Sequence, residues 1–504
     1  MQNMECRRTK GRPMRRLLLG SVVLVTFGLL AVTVFSGTAD SVQTRPVTTG
    51  PVGVKRFGAT GNGRTDDTAA IQNAVNASAG DIRFPRGVYR ISRTIVIDLN
   101  RVGPTALLGE GPARVVMTGP GPAFRFVGTH EGTAAPKTVR ANVWKNQRSP
   151  MVTGLEIVGA HPQADGIEAV GTMQLTVSRV VIRKARHGIH LVKRNRNVII
   201  SACHIYENSG VGIFYDHVNL HQSNIIGSHI SYNDAGGVVI RGGNVRNVHI
   251  GTCDIEGNMG GPKSQPTANV LLDATGGSIG EVAIVGCTIQ HTHLAPDSAN
   301  IRIDGNSTPV SFTKETRHGN ITIADNVLSD VQINIDVENT RSITIIGNTI
   351  WKGYAHNLRV SSSDAVVVEG NVFDRNPRYH YGDGSTAHGG LVFRNCNGGT
   401  ISGNHLRGTG DVPAAMLLQS CRRFNITGCT ILDAMHGGLR LTDVTDSRVS
   451  DCLIRDDRAR GKQSFSLRMT GGHGNMVVDN LFGTAPVIPP KTAHVQGNVI
   501  GRTK

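Results

Sequence analysis

Three aspartates close the same short phrase in three neighbouring segments: Asp273 ends VLLD, Asp304 ends IRID and Asp336 ends INID. On consecutive β-strands such carboxylates would stand about 5 Å apart. Like charges that close raise one pKa, giving a general acid beside an ionised partner at the separation found in retaining glycosidases. The same oxygens would suit a hard cation such as Ca2+, which neutralises a uronate and acidifies its C5 proton for β-elimination. Arg302 and Arg359 flank the three aspartates, so a solvated surface ladder neutralised by guanidiniums is the reading without chemistry.

The loops feeding these segments carry residue types that bind sugars. His291 and His293 precede Asp297, and Trp351, Tyr354 and His356 follow in the next loop. The longest loop, 373–390, holds Arg375, Arg378, Tyr379, His380 and Tyr381. One of two Trp and three of seven Tyr fall between 351 and 381, in a chain that is only 4% aromatic. Aromatic faces interleaved with Arg, His and Asp supply stacking surface and oriented polar groups, as a sugar cleft requires. Arg375, Arg378 and His380 suit carboxylate or sulfate groups on a substrate.

A repeat must position these residues. From about residue 150 a short alternating strand, a turn residue, an apolar residue and a variable loop lead into G-I-x-L, as in ITIIGNTI (343–350) and VAIVGCTI (282–289). The period is close to 23–25 residues, with strand alternation and no helical signal, which predicts one turn of a solenoid per repeat. Stacked turns bond into parallel sheets between coils. The expected fold is an all-β solenoid, a single-stranded right-handed parallel β-helix of about 14 coils. Asn326, Asn348, Asn371 and Asn404 share one position of the repeat with Cys203, Cys253, Cys287, Cys429 and Cys452. That position reads as an inward ladder of small polar side chains. The cysteines lack the tight spacing of a metal site, and Cys396 with Cys421, one coil apart, is the one candidate disulfide.

The chain has 504 residues and a formal charge of +16. Six basic residues against Glu5 occupy the first sixteen positions, followed by the apolar run 17–35 and the small residues Gly37 and Ala39. Residues 1–39 read as a signal peptide or an uncleaved membrane anchor, 40–51 as a linker, 52–150 as cap and first coils, and 151–500 as the β-helix. The expected location is outside the cytoplasm, with membrane contact only through the N-terminal segment. Export and dispersed basic residues argue against a nucleic-acid partner.

The segment 54–92, VKRFGATGNGRTDDTAAIQNAVNASAGDIRFPRGVYRIS, reads as a strand, a glycine turn, an amphipathic helix with Ile71, Ala74 and Val75 on one face, and a further strand. A helix there would cap the open first coil. Through Phe57-Gly58-Ala59, Thr65-Asp66-Asp67 and Phe84-Pro85-x-Gly87-x-Tyr89 this segment resembles the N-terminal signature of the pectate lyase superfamily, which includes pectin-degrading enzymes and phage tailspikes. The resemblance implies a right-handed β-helix over about 52–500. Asp66 and Asp67 read as helix caps. The carboxylates of the superfamily's polygalacturonase branch are not all present: Asp165 matches the first, but Arg186 and His187 stand where an aspartate pair is required.

Two functions follow. One is an exported enzyme cleaving or modifying an acidic polysaccharide, by β-elimination or hydrolysis, on the outward face of the G-I-x-L sheet. The other is a surface protein that binds glycan there without turnover. The site expected for either comprises Asp273, Asp304, Asp336, Arg302 and Arg359 with the loop residues named above.

Overall fold

A column of apolar side chains runs in register from Ile157 through Ile182, Ile205 and Ile230 to Ile454 and Phe482, all of them buried. Stacked coils whose strands stay in register produce such a column, because alternation puts every second residue of each strand inside. The computed structural model describes residues 52–77, 80–132, 135–375, 386–458 and 463–501, all within the unit Val47–Lys504. Residues 1–51, expected to be export segment and linker, and Arg378, Tyr379, His380 and Tyr381 lie outside the described residues. Among those described, every pairing between the strands in register is parallel, and the chain is a right-handed parallel β-helix as the repeat predicts.

Each coil contributes a strand to each of three sheets. The first sheet, which carries the G-I-x-L phrases, has fourteen strands among the described residues, from Ile95–Asp98 to Phe465–Thr470. At the N-terminal end the helix Thr68–Ala77 buries Ile71, Ala74 and Val75 in the core. Asp66 accepts from the Thr68 amide at 3.0 Å and so caps that helix. Asp67 does something else: its carboxylate accepts the Thr60 and Gly61 amides at 2.7 and 3.1 Å and ties the preceding glycine turn to the helix.

Two buried polar ladders fix the register of the coils. In the expected one, Asn326, Asn348, Asn371 and Asn404 each pass an amide hydrogen bond to the next, at 2.9–3.0 Å. The cysteines occupy the same row. The second ladder was not legible in the repeat: Asn208, Asn233, Asn258, Asn269, Asn300, Asn334 and Asn357 bond in series at 2.6–2.9 Å at the corner leading into the first sheet. All seven are at most 5% exposed.

The seven described cysteines are free and buried, Cys396 and Cys421 included. Cys396 donates to the Arg394 carbonyl at 3.2 Å and Cys421 to the Gln419 carbonyl at 3.3 Å. They fill space rather than cross-link. A thiol reagent added to the native protein should therefore label none of the seven, and all seven after denaturation; rapid labelling of any under native conditions would contradict this packing.

Candidate functional site

The outward face of the first sheet presents two columns of side chains. One runs Arg125, Glu168, His190, Phe214, Val239, Leu271, Arg302, Asp336 and Arg359 in register. The other, two residues on, runs Asp216, Arg241, Asp273, Asp304, Glu338 and Ser361. This corrects the expected three-aspartate column: Asp273 faces Asp304, but Asp304 faces Glu338, and Asp336 stands in the neighbouring column between Arg302 and Arg359. Alternation has a period of two, so a slip of two residues leaves the hydrophobic pattern unchanged. What sets the register is Asn334, which takes the ladder position within its strand as Asn300 and Asn357 do within theirs.

The correction removes the chemistry the column implied. Asp273 and Asp304 accept amides of their own turns, from Thr275 and Asn306, at 3.0 Å each. Among the described residues no group of three or more His, Cys, Asp or Glu is gathered as a metal ion would require, so Ca2+ has no three-aspartate site. Asp336, 7% exposed, receives Arg302 Nε at 2.9 Å and Arg359 Nε and Nη2 at 2.8 Å. Asp297 adds contacts of 3.0 and 3.8 Å to the same arginines. Burial pushes the Asp336 carboxyl up, but the bonds and charges of Arg359 and Arg302 hold it below its ordinary value. It is an ionised strut, not a general acid.

A depressed folded-state pKa stabilises the protein fully above the unfolded value, and the benefit disappears as pH falls through the folded one. Asp336→Asn should therefore lower stability at pH 7 by about 2 kcal/mol, the scale of hydrogen bonds to a charged group, and flatten the loss of stability below about pH 4. Urea titrations at several pH values would read this; an unchanged acid limb would assign it to other carboxyls.

The loop residues meet only in part. His293 stacks on Tyr354 with ring centroids 4.1 Å apart, and Lys352 Nζ lies 4.8 Å from the Trp351 ring while 3.5 Å from Asp330. His356 is half-buried; burial, then Arg359 and Arg394, push it down to about 4, so it is neutral. His291 is separate, 4.0 Å from Glu256. Arg375 lines a small cavity of about 20 Å³ with Phe373, His388 and Arg407.

A different cluster, four coils nearer the N-terminus, has the form of an acid–base site. Asp216, whose side chain is 33% exposed, lies 2.8 Å from His217 Nδ1 and 3.1 Å from His190 Nε2. Burial raises the Asp216 carboxyl and the bonds from His217 and His190 lower it by more, so it stays ionised. A carboxylate can only accept, so Nδ1 of His217 carries the proton and Nε2 has a free lone pair. The His217 side chain is 65% exposed. Gly242 on the next coil, at φ +58°, makes room for the ring, since a Cβ there would lie 2.7 Å from His217 Cδ2.

Behind this pair His190 stacks on Phe214, centroids 5.3 Å apart and planes 8° from parallel, with Glu168 3.8 Å from its Nδ1. Arg125 Nε holds Glu168 at 2.6 Å. Asp165, the one match to the polygalacturonase pattern, is 2% exposed and clamped by Arg186 at 2.6 and 2.8 Å. Arg241 stands in register beside Asp216, and its half-exposed side chain is 3.7 Å from Asp273. Asp216, His190 and His217 are not among the site residues expected from the sequence, which centre on the three aspartates. The available signal was an Asp-His pair at a strand end, one coil from an outward His.

Three family profiles match the chain. Residues 52–147 match rhamnogalacturonase A/epimerase, pectate lyase-like; 143–289 match right handed beta helix region; and 299–487 match periplasmic copper-binding protein (NosD). No curated protein matches the sequence. Among solved structures, ORF18 of Geobacillus virus E2 is similar at 17% identity and a TM-score of 0.38, over 73% of this chain and 59% of that one. Tailspike protein 3 of bacteriophage CBA120 is similar at 13% and 0.39, over 89% and 61%. The A-module of Azotobacter vinelandii mannuronan C-5 epimerase AlgE4 is similar at 15% and 0.33, over 90% and 97%. The chain thus spans about three fifths of the two phage proteins.

Proposed function

From the premise that the chain is a pectate lyase-like right-handed β-helix, we propose that it cleaves an acidic polysaccharide by β-elimination on the outward face of its first sheet. The pectate lyase-like profile supports a carbohydrate-related role. The finer reading is carried by the Glu168–His190–Asp216–His217 chain with Arg241 beside it.

In this reading Arg241 pairs with the uronate carboxylate. His217 Nε2 takes the C5 proton, the C–H electron pair becomes the C4–C5 double bond, and the C4–O bond breaks as the leaving oxygen takes a proton from water. Asp216 steadies the imidazolium that forms, and His190, seated on Phe214, fixes Asp216 in turn. Export through residues 1–39 belongs to the same proposal, and among the described residues no helix is long and apolar enough to cross a membrane.

Incubation with a panel of acidic and neutral polysaccharides tests the reading. The expected product absorbs at 235 nm, as unsaturated uronates do. New reducing ends without that absorbance would replace elimination by hydrolysis, and glycan binding without any product would leave a binding protein.

A further inference from the structure

A groove of about 380 Å³ lies far from the first sheet, at the corner where the second and third sheets meet in the first coils. Its volume falls within the range of ligand-sized pockets, about 300–1,000 Å³. Val88, Pro112, Ala113, Leu155 and Val181 give it an apolar floor, and Arg86, Arg114 and Arg179 stand round it with a single acid, Glu156.

Local backbone irregularity makes the groove. The strand Ala106–Met117 pairs with Met151–Gly159 through a register shift between Leu108 and Ala113, so 109–112 bulge outward beside it. A second shift, between Pro85 and Gly87, opens the adjoining wall. Gly109 permits the close approach of these coils, since a Cβ there would lie 2.0 Å from the Gly154 carbonyl oxygen. Bulges of this kind re-aim side chains instead of continuing the ladder.

The charge is lopsided. Glu156 is already bonded by Arg114 at 2.6 Å and by Arg183 at 2.9 Å. Arg86 and Arg179 are exposed and make no ion pair with a described residue, so the groove keeps positive charge for an incoming anion. An apolar floor with guanidiniums at its edges matches the faces of a sugar ring bearing a carboxylate.

We propose that this groove binds a short acidic saccharide, anchoring the polysaccharide at a distance from the sheet where it is cut. The proposal rests on the acidic-glycan reading above for its ligand class but not on turnover. Hydrogen exchange of the full chain, with and without trigalacturonate, locates the contact. Amides in 109–115 and 154–157 should exchange more slowly with the trimer and be unaffected by its methyl ester. Arg86→Ala/Arg179→Ala, which removes two exposed side chains and should leave the thermal midpoint unchanged, should abolish that protection and weaken trimer binding at least tenfold. Arg86→Lys/Arg179→Lys should retain part of both.

Protection that persists in the double alanine variant, equal protection by the methyl ester, or none with the acid would each overturn the anchor. Because the cutting site is elsewhere, loss of turnover in His217→Gln with groove protection intact separates the two proposals. Protection without any turnover in the wild-type protein leaves the anchor standing and removes the lyase.

Discussion

His217→Gln should reduce kcat on an acidic polysaccharide by at least about a hundredfold, the contribution typical of a positioned general base, with little change in KM. Glutamine keeps the size of the side chain and a donor toward Asp216, but it has no basic nitrogen to receive a carbon-bound proton. Asp216→Asn should cost a comparable factor for a different reason. An amide facing His217 Nδ1 no longer selects the tautomer with a free Nε2 and no longer stabilises the imidazolium. The double variant should be little worse than either single one, since residues acting as a unit are not additive. His217 is mostly exposed, so its replacement should not move the thermal midpoint, and a lost signal at 235 nm would report chemistry instead of unfolding. Wild-type turnover in His217→Gln would move the base elsewhere on the sheet.

Asn348→Ala should be the most damaging single change to the fold, lowering stability by about 3–5 kcal/mol, since each buried polar group left without a partner costs about 1–3 kcal/mol. Asn348 Oδ1 accepts from the Asn326 backbone and side-chain amides at 3.0 Å each, and its own amide donates to Ile323, Ile346 and Asn371 at 2.9–3.1 Å. Removing the side chain strands donors above and acceptors below, in the middle of the stack where water has no access. Cys429→Ala in the same row should cost far less, because its thiol makes long sulfur contacts, donating to carbonyls at 3.6 and 3.7 Å and accepting from Asn404 Nδ2 at 4.0 Å. Urea midpoints of the two variants give the comparison. Equal midpoints would mean that the ladder is ornamental and that apolar stacking alone fixes the register.

The fold was legible because its signal repeats: a period near 24 residues, written fourteen times, exposes the coil and the inward row, while an amphipathic pattern outside the repeat exposes the capping helix. The second ladder escaped because its spacing is irregular. Asn258 and Asn269 are only 11 residues apart although they bond as neighbours, one at the end of the third-sheet strand and the other at the start of the next first-sheet strand. Missing it misplaced Asp336 by two residues, a slip that alternation does not detect. The loss of the three-aspartate column and the oversight of Asp216 and His217 have one origin. Hydrophobic pattern says which residues face outward, whereas neighbours across coils are decided by turns whose lengths vary.

The outward face of the first sheet has a further consequence. The backbone beneath it repeats with each coil, yet the side chains along one column change at every step, from Arg125 and Glu168 through His190 and Phe214 to Arg302, Asp336 and Arg359. A polymer of identical units lying along the axis would meet a track with evenly spaced sleepers and no two neighbours alike. Sliding by one unit would exchange every contact for a different one, so the polymer would be held in one frame, not allowed to drift. If the proposed lyase activity holds, such a surface would measure its substrate from a fixed origin and yield a few discrete product lengths rather than a continuous ladder of them.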